Sequence, residues 1–282
     1  MERESCLSIL IVLLGGAMLI ACGWWPATDE HRANARDVEQ VAWRRIWLPL
    51  IPAVGAAAML CGWAILEPDP VPQHVPASVI AASLPFALLF ARTALRAARA
   101  TAPAQEPAGP LTVGLLRSWV VFPPYLAKQL DARQIEAALA HERAHARHRD
   151  PLRIWMAQIA TDLQWPWPQA QRRLRQWLIA LELARDEEAR AAGIDGGQLA
   201  EAILAAARFG HPVGLPMQAA LTGERAVLQE RIERLLAPPI TASVRVEKPD
   251  TVWMFVPAAV AGLAIGLMFG EQMISAFLRL AA

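Results

Sequence analysis

The chain has 282 residues, enough for one large domain or two small ones, and its 27 basic and 26 acidic side chains leave a formal charge of +1. That balance excludes the basic excess expected of a nucleic-acid-binding surface, so no direct nucleic-acid partner is predicted. Hydrophobic residues make up 55%, above the roughly 45–50% of ordinary globular chains, and the excess collects near the two ends, as in a membrane protein.

Four apolar stretches approach the roughly 20 residues needed to cross a hydrocarbon core: Leu7–Trp25, Ile46–Leu66, Val75–Ala91 and Val252–Gly270. Trp24, Trp25, Trp47 and Trp253 mark their edges, where indole rings favour the headgroup level. Arg32, Arg36, Arg44 and Arg45 lie between the first two stretches, and Arg92, Arg96 and Arg99 follow the third. The loop from Glu67 to Pro76 has no basic residue. The positive-inside rule then places the first loop and the segment 92–250 in the cytoplasm and both termini outside, with Arg279 against the rule. Leu19-Ile20-Ala21-Cys22 also has the form of a lipoprotein cleavage box. A signal needs a basic first region, however, and here Glu2 and Glu4 outweigh Arg3, so a retained span is expected. Cys6, Cys22 and Cys61 all sit in apolar runs without metal-ligand spacing, which predicts neither a disulfide framework nor a cysteine metal site.

Ala100–Pro110 reads as a Pro/Ala-rich linker, and residues 111–122 hold two short β-like runs broken at Gly114. Asp131, with Gln134 three residues on, predicts an N-cap and a helix to about Arg149. Asp150-Pro151 reads as a second cap and first-turn proline, and Trp165-Pro166-Trp167-Pro168 as a break. Further helices are predicted over about 169–192, 197–208 and 223–236, followed by a connector to Asp250.

The chemistry concentrates in His141-Glu142-Arg143-Ala144-His145. Residues four apart on a helix share a face, so His141 and His145 can aim two imidazoles at one metal ion. Glu142 projects beside them, within reach of water on the metal rather than the metal itself, which makes it a general base. Taken alone, the motif is equally compatible with a charged, solvated helix face. A third ligand is needed, with one position left open. His148 lies about 10 Å along the axis from His141, too far to share its metal, at about 1.5 Å rise per residue. The metzincin pattern fails, since it needs glycine at 148 and histidine at 151, where this chain has His148 and Pro151. Glu182, among apolar neighbours, is the better third ligand, because a carboxylate there needs a cationic partner. Asp186, one turn on, can accept a hydrogen bond from a ligand histidine. The alternative is that both belong to an ordinary exposed stripe with Glu187, Glu188 and Arg190.

Several of these segments resemble the BlaR/MecR-type membrane metallopeptidases: Gly114-Leu115-Leu116-Arg117, Val120 to Pro124, Leu139 to His145 through Arg149-Asp150, and Leu228 to Leu236. Glu182-Leu183-Ala184-Arg185-Asp186-Glu187 resembles that family's E-L-A-C-D-E segment, with Arg185 in the cysteine's place. The resemblance implies a gluzincin with zinc held by His141, His145 and Glu182, Glu142 as base and Asp186 behind the ligands. It implies a mainly α polytopic membrane protein in a bacterial-type inner membrane. Residues 1–99 would carry three transmembrane helices, 100–250 a cytoplasmic-facing α+β zincin-like domain, and 251–282 a fourth span. Its partners would be the bilayer and a protein or peptide substrate such as a transcriptional repressor.

So few residues follow the last span that the family's penicillin-binding sensor, with its S-x-x-K serine, is not expected. The implied role is regulatory proteolysis. The alternatives are an HtpX-like quality-control protease, or a non-catalytic signalling protein with a structural zinc site. The basic helix at Arg172, Arg173, Arg175 and Trp177 would either lie on the inner membrane surface or only pack against the spans. The strand at Trp119–Phe122 would either receive an extended substrate by edge pairing or serve only as scaffold. Tyr125, Arg185 and His211 are equally open as oxyanion stabilisers.

Overall fold

The computed structural model describes residues 34–51, 58, 77–100, 109–209 and 224–238. Its elements in chain order are α1 (Ala35–Trp47), a 3-10 turn (Leu48–Leu50), α2 (Ala77–Ala100), β1 (Leu111–Val113), β2 (Trp119–Val121), α3 (Pro124–Ala127), α4 (Ala132–Arg147), α5 (Asp150–Leu163), α6 (Pro168–Ala191), α7 (Gly196–Phe209) and α8 (Glu224–Leu236).

Local chemistry explains most boundaries. Asp131 caps α4 by accepting from the backbone N–H groups of Arg133 and Gln134, both at 2.8 Å. The Gln134 side chain returns the favour by accepting from the Asp131 N–H at 3.0 Å, which closes the capping box expected from the sequence. Between α4 and α5 the chain turns through Arg149 in the left-handed region, φ 52°, and Pro151 then opens α5 where no N–H is needed. Pro168 opens α6 in the same way. The two β-like runs pair as an antiparallel hairpin with Leu111 opposite Val121 and Val113 opposite Trp119. Gly114 makes that hairpin possible: its φ is +94°, and a Cβ there would meet the Arg117 carbonyl oxygen at 2.0 Å.

The two larger apolar clusters hold most of the helices together. In the first, Ile46 and Leu50 from the N-terminal segment, Ala157 and Ala160 from α5, and Leu174, Trp177 and Leu181 from α6 pack together. Trp177 is fully buried against Trp43, ring centroids 4.9 Å apart, and donates its indole N–H to Glu39. Removing a core tryptophan of this kind typically costs about 3–5 kcal/mol. The second cluster joins Ala137 of α4, Ala189 of α6, Leu199 and Ala200 of α7, and Leu235 of α8. The second cluster thus ties α4 to α6.

The expected four-span architecture requires correction. Among the described residues no helix is long and apolar enough to cross a membrane; these residues form a mainly helical assembly with one two-stranded sheet. The proposed third span falls on α2, where only Ala77–Ala91 precedes Arg92. At about 1.5 Å per residue that is about 22 Å, short of the roughly 30 Å hydrocarbon thickness. The following turns belong to the folded assembly: Arg92 and Arg96 reach the buried Asp162 of α5 at 3.5 and 3.0 Å, and Trp155 donates to the Ala97 carbonyl. The start of the proposed second span is likewise spent on the core, with Ile46 and Leu50 buried in it. Apart from residues 51 and 58, the remainder of that stretch, and the first and fourth stretches, lie outside the described residues. On the basic helix Arg173 and Trp177 are buried, with Arg173 donating to the Gln164 side chain at 2.7 Å, while Arg172 and Arg175 are exposed.

Candidate metal centre

Helix α4 lies beneath the hairpin and beside α6, so the face carrying His141, Glu142 and His145 is buried although it is polar. Burial of three polar side chains on one face requires partners. His141 Nε2 and His145 Nε2 face each other at 3.1 Å. Across from them α6 supplies Glu182, whose Oε2 is 3.5 Å from His141 Nε2 and whose Oε1 is 3.6 Å from His145 Nε2. Ligands on a tetrahedral ion, with bonds of about 2.0–2.1 Å, stand about 3.3 Å from one another. The donor types and separations of His141, His145 and Glu182 therefore fit one four-coordinate divalent cation with a position left open, and these residues could hold a metal. Glu182, at 32% exposed, is the most accessible of the three donors.

Each imidazole has a carboxylate at its other nitrogen. His145 Nδ1 donates to Asp150 Oδ2 at 2.9 Å, which leaves the Nε2 lone pair for the centre. His141 Nδ1 is also 2.9 Å from a carboxylate oxygen, Asp186 Oδ1, but the N–H does not point squarely at it; this is a close ionic contact rather than an aligned hydrogen bond. Both carboxylates are gripped by arginines, Asp150 by Arg185 and Arg153, and Asp186 by Arg231. Arg231 also reaches Glu182 Oε2 at 3.0 Å.

These charges set the protonation states. Burial works against a charged His141, but Asp186 and Glu182 outweigh it and raise the imidazole pKa to about 10. Burial also opposes ionisation of Glu182 and Asp186, yet Arg231 foremost, with the nearby histidine charge, holds both below the usual carboxylate range. Asp150 is held low against burial by His145 and Arg185. In the metal-free chain a proton on His141, with the charge of Arg231, thus balances Asp186 and Glu182.

Glu142 lies on the hairpin side of the group. The hydroxyl of Thr112, in β1, sits 2.9 Å from Glu142 Oε2 and 2.8 Å from its carbonyl oxygen, positioned to donate to either. The hairpin thereby touches the one acidic side chain of the motif that is not directed at the other donors.

The structure brings together His141, Glu142, His145, Glu182 and Asp186. Of the other sequence candidates, His148 and Arg185 turn to other partners. His148 pairs with Glu188 at 2.8 Å and takes no part in the group. Arg185 is 2% exposed and spent on Asp150 and Glu188, so its side chain is not at the open position. His211 lies outside the described residues. Glu187 and Glu188 are not an idle stripe either: Glu187 accepts from the Ala35 N–H at the start of α1, and Glu188 takes Arg147 as well as His148.

Sequence reasoning missed Thr112, Asp150 and Arg231. The sequence predicts a helix cap at Asp150, but Arg149 holds the cap position and the Asp150 side chain turns back to His145 instead. Its spacing of five from His145 was the available signal. Thr112 and Arg231 are remote in sequence and had none.

A family model, BlaR1 peptidase M56, matches residues 26–235 of the chain. Neither the curated proteins nor the solved structures compared with it include a match. The family match covers the hairpin, the histidine pair, Glu182 and the helix carrying Arg231, so the candidate metal centre lies wholly inside it. The chain belongs to the BlaR1 peptidase M56 family.

Proposed function

We propose that the protein is a zinc endopeptidase that cuts a regulatory protein, with His141, His145 and Glu182 holding the ion and Glu142 acting as general base. The observation that carries this reading is the near-tetrahedral spacing of three donors from α4 and α6, with a glutamate beside them on the same helix. Family membership supports peptide hydrolysis by a metallopeptidase, and a repressor-type protein is the substrate class that the sequence resemblance suggests.

A bound zinc ion supplies a Lewis acid that acidifies water toward neutral pH and polarises a carbonyl. Glu142 accepts the proton of the attacking water and carries it to the leaving amine nitrogen as the peptide bond breaks. Thr112 keeps the Glu142 carboxylate against the hairpin in the meantime. Asp150 holds His145 with its Nε2 lone pair inward, and Arg231 holds Glu182 across from it. The exposed side of Glu182 leaves room for a peptide to approach.

The test is metal analysis combined with proteolysis. Purified protein is expected to hold one zinc per chain. Glu142→Ala is expected to keep that zinc while losing cleavage by about 10²–10⁴-fold, the usual contribution of a general base. Comparing protein levels in cells bearing the wild type and Glu142→Ala would reveal the substrate as the species that accumulates. Undiminished cleavage by the variant would refute the mechanism.

A further inference from the structure

Behind the two histidines the structure repeats one arrangement, histidine to aspartate to arginine. On one side His141 meets Asp186, which Arg231 grips through Nε at 2.8 Å and Nη2 at 2.9 Å. On the other His145 meets Asp150, which Arg185 grips through Nε at 2.5 Å and Nη2 at 3.0 Å. The two differ in one respect. Arg231 touches Glu182 directly, whereas Arg185 reaches the donor group only through Asp150.

A carboxylate on a short side chain can rotate about its own axis, and as it turns it carries away the oxygen to which an imidazole N–H points. Asp150 is fully buried and receives four donors, two on each oxygen. His145 Nδ1 and Arg185 Nε share Oδ2, while Arg185 Nη2 and Arg153 Nη1 share Oδ1. Only Arg185 bonds both oxygens, and a planar guanidinium fork on both oxygens fixes the carboxylate plane. Arg153 is divided between Asp150 and Glu39, so it cannot do the same. Arg185 also spans two helices, for it sits on α6 one residue from Asp186, whereas Asp150 opens α5.

We propose that Arg185 is a positioning residue of the metal centre: its fork on Asp150 sets the plane of the carboxylate that orients His145, and so the aim of His145 Nε2. The proposal rests on the reading of His145 as a metal ligand. Residues that orient a ligand histidine typically contribute 10–100-fold in metal affinity.

The experiment uses the full chain, stripped with chelator and titrated with cobalt(II) and zinc. The readouts are the cobalt d–d absorption and zinc affinity by competition with a chromophoric chelator. Arg185→Lys keeps the charge but offers one donor point, so it is expected to retain the metal-free circular dichroism spectrum and lose about tenfold in zinc affinity, with an altered cobalt band pattern. Arg185→Met removes the fork and is expected to lose up to about 100-fold. Wild-type affinity and cobalt spectrum in a folded lysine variant would overturn the proposal. So would a lysine variant that unfolds without metal, since Arg185 would then be a structural residue. A wild-type chain that takes up neither ion overturns the underlying metal-centre reading, and that outcome appears in the wild-type titration, before any variant is compared.

Discussion

His141 must give up a proton before it can bind a metal, and its surroundings make that proton hard to remove. Burial favours the neutral ring, but Asp186 and Glu182 dominate and raise its pKa from 6.5 to about 10. A raised histidine pKa stabilises the metal-free fold fully below about 6.5, and that stabilisation is lost as pH rises through about 10. Metal uptake has the opposite sense, because the proton and the ion compete for one lone pair. Zinc affinity is therefore expected to rise about tenfold per pH unit between pH 7 and 9, while the melting temperature of the chelator-treated protein falls over the same range. Competition titrations and thermal melts at several pH values check the two slopes. A flat affinity profile would contradict the charge arrangement around His141. The HExxH spacing made the histidine pair legible in the sequence, because α-helical periodicity alone puts residues four apart on one face. The proton on His141 was not legible, because it depends on Asp186 and Glu182 being brought across from another helix.

At the scale of elements, α8 matters to the centre even though it contributes no expected ligand. It brings Arg231 onto Glu182 and Asp186, and its position is set by contact with the start of α7. Gly196, the first residue of α7, lies so close to α8 that a Cβ there would stand 2.1 Å from the Leu235 carbonyl oxygen. Backbone cannot give way as a side chain does, so Gly196→Ala must push α8 outward. Overpacking of this kind is expected to cost about 1–3 kcal/mol in urea unfolding, with metal affinity falling in parallel because Arg231, one turn from Leu235, moves too. Unchanged stability would show that α8 is free to shift. The helices themselves were readable from caps and prolines: Asp131 with Gln134 opened α4, and Pro151 and Pro168 opened the next two. The start of the apolar run at 46–66 misled, because hydropathy does not distinguish a helix that faces lipid from one whose apolar residues face a protein core. The run at 75–91 misled because its helix leaves Ile80, Leu84, Leu88 and Phe90 exposed yet is too short to cross a bilayer before Arg92. Ile46 and Leu50 face the core, and Arg92 and Arg96 tie α2 to Asp162.

In the whole molecule, α4, α5, α6 and α8 meet at the metal centre through side chains, so an ion bound there ties them together. Anything that binds only the folded state raises stability, by about 2.7 kcal/mol at a concentration 100 times its dissociation constant. Chelation is accordingly expected to lower the melting temperature and abolish peptide cleavage, and stoichiometric zinc to restore both. The fold should survive chelation, since the first apolar cluster around Trp177 is independent of the donors. Complete loss of helical circular dichroism on chelation would instead mark the site as structural.

The sequence by itself determined what depends on local spacing: two imidazoles and a glutamate on one helix face, a carboxylate one turn before Asp186 on another, and the family to which these segments belong. Tertiary structure alone decided what depends on the meeting of distant segments. It put Glu182 across from the histidine pair, turned Asp150 from a presumed cap to His145, set Thr112 against Glu142, and directed Arg185 and Arg231 to the two aspartates. It also turned the start of the second predicted span into core and anchored the end of α2 to α5. The physical reason is the same throughout: helical periodicity is written into neighbouring residues, but whether a buried charge or an apolar face finds its partner is settled only when the helices pack.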